Sequence, residues 1–132
     1  MDINIPEVVA EVTAMFERYE QALVTNDVAT LDALFQPSDQ TIRYGIAENL
    51  YGIEEIRAFR SARSPVSLAR RLVGTRITTY GRDFAIASTM FHRDSLPGKI
   101  GRQMQTWARL PVVGWRVVAA HVSVIEDKKT AS

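Results

Sequence analysis

Gly114-Trp115-Arg116-Val117-Val118-Ala119-Ala120-His121-Val122-Ser123-Val124 reads as a central strand, rich in Val and broken by neither Pro nor Gly after its first residue. Side chains alternate across a strand, so Trp115, Val117, Ala119, His121 and Ser123 are expected on one face. That face is large at one end and polar at the other, as the wall of a pocket would be. A second strand of matching length, 101–110, turns back into it through Pro111-Val112-Val113-Gly114. Gln103, Gln105 and Trp107 alternate on one of its faces. Amides, a His and a Ser on apolar strands each need a polar partner, and a pocket supplies them.

Working outward, the same alternation runs over 68–80 and 84–93, with turns at Gly81-Arg82-Asp83 and Leu96-Pro97-Gly98. On 84–93, Phe84, Ile86 and Met90 oppose Ala85, Ala87 and Phe91. Both sheet faces therefore carry apolar groups while helices can cover only one, which predicts a homodimer or higher homo-oligomer.

The N-terminal half reads differently. Val8, Val12, Met15, Phe16, Tyr19 and Leu23 recur at three- and four-residue spacing and predict a helix over 6–25, with Asn4 as its N-cap and Pro6 in its first turn. Tyr19 falls inside the apolar stripe. It is either a core residue whose hydroxyl takes a nearby acceptor or a phenol pointing into a cavity between helix and sheet. Asn26-Asp27 caps a short second helix that buries Val28, Leu31, Leu34 and Phe35. A short strand over 41–45 and a return leg over 48–51 make a hairpin. Arg43 sits at the centre of that strand, and no acidic residue shares its face there. It is either a rim Arg or one whose partner is remote in sequence or a ligand. Gly52 opens a third helix with Ile53, Ile56 and Phe59 inward. Arg57, Arg60 and Arg63 are expected mostly outward, so that with Arg70, Arg71, Glu54 and Glu55 they form a solvated face. Helices, a hairpin and four long strands give an α+β class, a curved antiparallel sheet wrapped around the N-terminal helices as a cone. The mouth of a cone is a natural ligand site.

The 132 residues suit one domain, its core over 3–125 and a flexible tail over 126–132. A net charge of +1 argues for neither nucleic acid nor a membrane surface as partner. The absence of Cys excludes disulfides and thiol nucleophiles. Two histidines, His92 and His121, cannot make a three-His metal site, and their spacing suggests no metal at all. Met1-Asp2-Ile3-Asn4 lacks the basic and apolar regions of a signal peptide, and no apolar run reaches membrane-spanning length, so a cytoplasmic protein is expected. Phosphate loops and Gly-x-Ser-x-Gly elbows are missing. His121 fits either a satisfied core histidine or a catalytic base.

Trp-Arg-Val-Val-Ala-Ala-His-Val-Ser at 115–123, after Thr-Trp-x-Arg at 106–109, resembles the SnoaL-like, nuclear-transport-factor-two-like cone proteins. Five further segments resemble the smaller AtzH-like group. They are Arg18-Tyr19-Glu20-x-Ala22-Leu23, Glu48-Asn49-Leu50-Tyr51-Gly52, Ile56-Arg57-x-Phe59-Arg60, Thr79-Tyr80-Gly81-Arg82-Asp83 and Gly101-Arg102-Gln103-x-Gln105-Thr106-Trp107. The resemblance runs over about residues 3 to 124. It implies a decarboxylating amidohydrolase of cyanuric acid (s-triazine) breakdown that converts 1,3-dicarboxyurea to allophanate without metal or organic cofactor. Its important Tyr and Arg fall on Tyr19 and Arg43. Gln105, His121 and Ser123 are expected as secondary contacts to a small anionic, urea-derived substrate. Relatives also occur beside oxalurate and purine-breakdown genes. Two other readings therefore stand beside the enzyme, a non-catalytic accessory or assembly partner of an amidase and a small-anion binding protein.

Overall fold

The computed structural model describes residues 1–64 and 68–128. Three helices and six strands follow in the order α1 (Pro6–Val24), α2 (Val28–Leu34), β1 (Ile42–Tyr44), β2 (Asn49–Tyr51), α3 (Gly52–Ala62), β3 (Arg71–Tyr80), β4 (Phe84–His92), β5 (Lys99–Leu110) and β6 (Gly114–Glu126). The strand order is β2-β1-β6-β5-β4-β3. All neighbours are antiparallel except β1 and β6, where Arg43 runs parallel beside Ala120. That single parallel joint departs from the expected all-antiparallel sheet. It arises because β1 and the last strand meet only after α3 and three long strands have intervened, a crossover that leaves strand direction free.

Apolar spacing builds α1 as expected. Val8, Val12, Phe16, Tyr19 and Leu23 are buried against Ala85, Ala87, Trp107, Trp115, Val117 and Ala120 of the sheet. Glu11 at the start of α1 accepts a 2.9 Å hydrogen bond from Trp115 Nε1, and Glu20 near its end accepts two from Arg70, so polar ties hold both ends of the helix in the concavity. The expected N-cap is wrong. Ile5 precedes the helix without a side-chain cap, and Asn4, at φ 61°, turns its side chain away to accept from the Thr79 amide at 2.9 Å. Asn tolerates that left-handed backbone, and its use is to pin the N-terminus to β3. Asp27 does cap α2, through Thr30.

The sheet is curved, and two irregularities bend it further: a register shift in β3 between Val73 and Arg76, and one between β5 and β6. In the second, Thr106 faces Ala119 but Trp107 faces Val117, so Val118 is an extra residue. Such a bulge reverses the parity of everything beyond it. Ala120 and Val122 thereby join the inner face with Trp115 and Val117, and Ala119, His121 and Ser123 turn outward. The expectation that Trp115 through Ser123 share one face is therefore corrected. The strand expected over 68–80 begins at Arg71, and its junction with α3 lies partly outside the described residues. The expected tail is shorter than read: β6 runs through Glu126, and the Asp127 amide donates to the Gly98 carbonyl at 3.0 Å. Residues 129–132 of it lie outside the described residues. Among the described residues no helix is long and apolar enough to cross a membrane.

Candidate active site

Between α1, the β1–β2 hairpin, the end of α3 and the ends of β4 and β5 lies a cavity of about 160 Å³. Pockets for drug-sized ligands run to roughly 300–1,000 Å³, so this one suits a small metabolite. Tyr19 and Arg43, far apart in sequence, both line it. The Tyr19 ring packs 6.3 Å from Phe35, centroid to centroid, while its hydroxyl has no hydrogen-bond partner among the described residues. Tyr19 therefore belongs to the buried core cluster and to the cavity lining at once, with its hydroxyl unpaired among the described residues.

Arg43 has a protein partner close in sequence, contrary to expectation. Its Nη1 donates to Glu48 Oε1 at 3.0 Å, across the hairpin rather than along the strand. Gly45 permits this. A Cβ built there would stand 1.6 Å from Glu48 Oε1, so only glycine lets the carboxylate fold back under the strand. The Glu48 carboxylate is used up locally, since Oε2 accepts from the Ala47 amide. It takes one donor of Arg43 and leaves the rest of the guanidinium fork. Arg43 also lies 5.4 Å above the Phe59 ring.

The largest correction concerns the arginines expected on a solvated face. Arg57 and Arg71 are exposed, as expected. Arg60 is 2% exposed, bonded to Asp32 Oδ1 at 2.8 Å and stacked 4.2 Å over Phe35. Arg63, Arg70 and, from the end of β4, Arg93 line the cavity. The physical reason is helical geometry: Ile53, Ile56, Arg60 and Arg63 follow one another at three- and four-residue spacing and so continue one stripe. The polar label hid the periodicity. Arg93, after the last strand residue of β4, carried no signal of its own.

Phe91 is the platform for two of these cations, with Arg70 4.6 Å and Arg93 5.2 Å from its ring centroid. The ring can lie there because its cross-strand partner is Gly101, where an added Cβ would come within 2.1 Å of Phe91 Cζ. Arg70 is held by Glu20 through two bonds of 3.0 and 2.6 Å and donates a third, of 2.9 Å, to Gln103 Oε1. Because a guanidinium only donates, the amide oxygen of Gln103 must face it, which leaves Gln103 Nε2 as a free donor in the cavity wall.

Burial first, then the neighbouring Arg43, pushes the Arg63 guanidinium below its ordinary value. Burial first, then Arg70, does the same to Arg93. Both stay charged at neutral pH. Among the described lining residues, the buried atoms without a partner are Arg63 Nε and Nη2, Arg93 Nε and Gln103 Nε2. Every one is a donor. Such a wall is complementary to a ligand that only accepts, and carboxylates and a carbonyl are that chemistry.

The remaining expected contacts divide. Gln105 is on the inner face but buried below the cavity wall, where its Oε1 accepts from Trp107 Nε1 at 3.1 Å. Gln103, two residues earlier on the same face, takes the place expected of it. His121 and Ser123 stand on the outer face. His121 is exposed beside Tyr44 in a shallow depression with Met104 and Thr106, and Ser123 accepts from Arg102 Nε at 3.1 Å. The bulge at Val118 separates them from Tyr19 and Arg43, and nothing in residue type announces a bulge. No group of three or more His, Asp or Glu side chains able to hold a metal is present among the described residues.

Comparison with known proteins bears on the family and the fold. The AtzH-like family model matches residues 1–128. A crystal structure of a protein of unknown function of the DUF3225 family from Pectobacterium atrosepticum is 60% identical, covering 95% of this chain and 96% of that one at a TM-score of 0.91. A cystatin-like fold protein from Burkholderia xenovorans is 52% identical over 96% of this chain and 98% of that one, at 0.92. A nuclear transport factor 2-like superfamily protein from Salmonella enterica is 25% identical, with coverages of 92% and 94% and a TM-score of 0.74. Among curated proteins none matches significantly.

Proposed function

The chain belongs to the AtzH-like family, and on that premise we propose that it converts 1,3-dicarboxyurea to allophanate, without metal or organic cofactor. The single observation carrying this reading is that the unpartnered buried atoms lining the cavity around Tyr19 and Arg43 are all donors. A dicarboxylated urea is planar and presents two carboxylates and a carbonyl, all acceptors. The remaining fork of Arg43 holds one carboxylate in plane, for which a guanidinium is better shaped than an ammonium. The C–N bond to the departing carboxyl breaks, its electron pair stays on nitrogen, and nitrogen takes a proton as carbon dioxide leaves. The Tyr19 hydroxyl, unclaimed by any described residue, supplies that proton and is reprotonated from solvent. Carbamate-type N-carboxyl groups are intrinsically labile, so positioning and one proton suffice.

Two substitutions test the assignment. Tyr19→Phe removes a hydroxyl that bonds to no described residue, so the melting temperature stays near that of the parent while turnover falls by about 10² or more. Arg43→Lys keeps a cation for Glu48 and loses the planar fork, with a heavy loss of turnover and an intact fold expected. Full turnover in both variants would remove Tyr19 and Arg43 from the chemistry and leave an anion-binding protein.

A further inference from the structure

We propose that Arg63 and Arg93 form a second clamp in the cavity, one that holds the far carboxylate of a small dianion and rejects monoanions, the reaction's own product included. The inference rests on the reading above for the identity of the substrate, but its basis is a charge balance. Four guanidiniums line the cavity, those of Arg43, Arg63, Arg70 and Arg93. Glu48 answers Arg43 and Glu20 answers Arg70. Arg63 and Arg93 have no ion pair among the described residues; Glu20, already bonded to Arg70, favours the charge on Arg93 from farther off, and the two side chains lie against the Phe59 and Phe91 rings at 5.9 and 5.2 Å.

Arg63 and Arg93 are half-buried, and an unpaired charge even partly withdrawn from water is costly; two of them facing one small cavity are costlier because they repel. Each lies close enough to feel the other arginines of the site. A fold does not gain from that arrangement, whereas a ligand bringing two negative charges relieves it entirely. A ligand bringing one relieves half. Decarboxylation of a dianion leaves a monoanion, so the step that makes the product also removes one of the two charges that hold it. Chemistry and release are thereby coupled through the same pair of side chains.

The test is binding, independent of turnover. Glutarate, like 1,3-dicarboxyurea, separates its two carboxylate carbons by a three-atom chain, and it is inert. Its monoamide, glutaramate, has the same size with one charge fewer. Titration calorimetry of the intact protein near neutral pH is expected to show glutarate binding at least about tenfold more tightly, which is about 1.4 kcal/mol. Arg63→Gln and Arg93→Gln should each bring the ratio towards one, and Arg63→Lys, which keeps the charge, should retain the preference. Arg57→Gln, on the exposed face of the same helix, should change nothing. Because the clamp residues are unpaired, the Gln variants should melt no lower than the parent, where a structural role would lower the melting temperature. Equal affinity for the two ligands in the parent, or an undiminished preference in both Gln variants, would overturn the proposal. Preference without turnover of 1,3-dicarboxyurea would sustain the clamp and sink the reaction. Turnover without preference would do the opposite.

Discussion

Replacing Arg60 by Ala tests whether a residue that reads as a surface cation is a keystone of the interior. The side chain is 2% exposed, bridges α3 to α2 through Asp32 at 2.8 Å and covers the Phe35 ring at 4.2 Å. A hydrogen bond between charged partners contributes about 1.5–3 kcal/mol, and a desolvated guanidinium over a ring about 2 kcal/mol. Part of this is offset, because burial pushes Arg60 below its ordinary value and Arg43 repels it. The Asp32 carboxylate left behind is 22% exposed in its side chain, so water recovers some of its solvation. The net loss expected is about 2–3 kcal/mol, at or just under the range for breaking a buried pair. At roughly 4 °C per kcal/mol for a domain of this size, the melting temperature should fall by about 8–12 °C. Urea unfolding monitored by Trp fluorescence gives the free energy directly. The double substitution Arg60→Met with Asp32→Leu removes both charges and should recover much of the loss. A loss below about 0.5 kcal/mol for Arg60→Ala, as at an ordinary surface site, would refute the reasoning.

Gly101→Ala places a methyl 2.1 Å from the Phe91 ring. It should cost about 1–3 kcal/mol of stability and, by tilting the platform under Arg70 and Arg93, weaken glutarate binding; unchanged unfolding and binding would dismiss the platform. Asp27 has its carboxyl lowered below the ordinary value of 3.8 by the Thr30 hydroxyl and then the Thr30 amide. Its cap therefore stabilises above that value and is lost as pH falls through the lower folded value. The difference in urea midpoint between the parent and Asp27→Ala should be constant at neutral pH and vanish in acid; a difference that persists there would contradict the cap. On the outer sheet face, Phe84, Met90 and Met104 are exposed at 55%, 39% and 54%. A second copy of the chain is the expected cover, so light scattering should give a dimer that Met104→Asp converts to monomer, and a monomeric parent at micromolar concentration would contradict it.

The fold was legible because its signals are periodic. Alternation over β3 to β6 and the stripe from Val8 to Leu23 each repeat many times, and a single exception does not erase them. Tyr19 could be placed in the stripe, and the family likeness brought it together with Arg43. What escaped was carried by single residues. Val118 adds one residue to β6 and turns His121 and Ser123 outward, and a bulge has no composition of its own. Arg60 and Arg63 continue the spacing of Ile53 and Ile56, yet a charged residue ordinarily marks a solvated face. Asn4 reads as a cap until the strand it bonds, seventy-five residues away, is known. Two segments of the likeness gain a physical account instead: Glu48 answers Arg43 under Gly45, and Gly101 with Gln103 frames the Phe91 platform and the free amide donor.

The most direct measurement follows carbon dioxide and allophanate together from freshly generated 1,3-dicarboxyurea, with and without the purified protein. Catalysis by this chain alone should release the two in equal amounts, faster than the spontaneous rate and in proportion to protein concentration, with chelator making no difference. Release no faster than in buffer, or acceleration that appears only when a separate amidase is added, would contradict it.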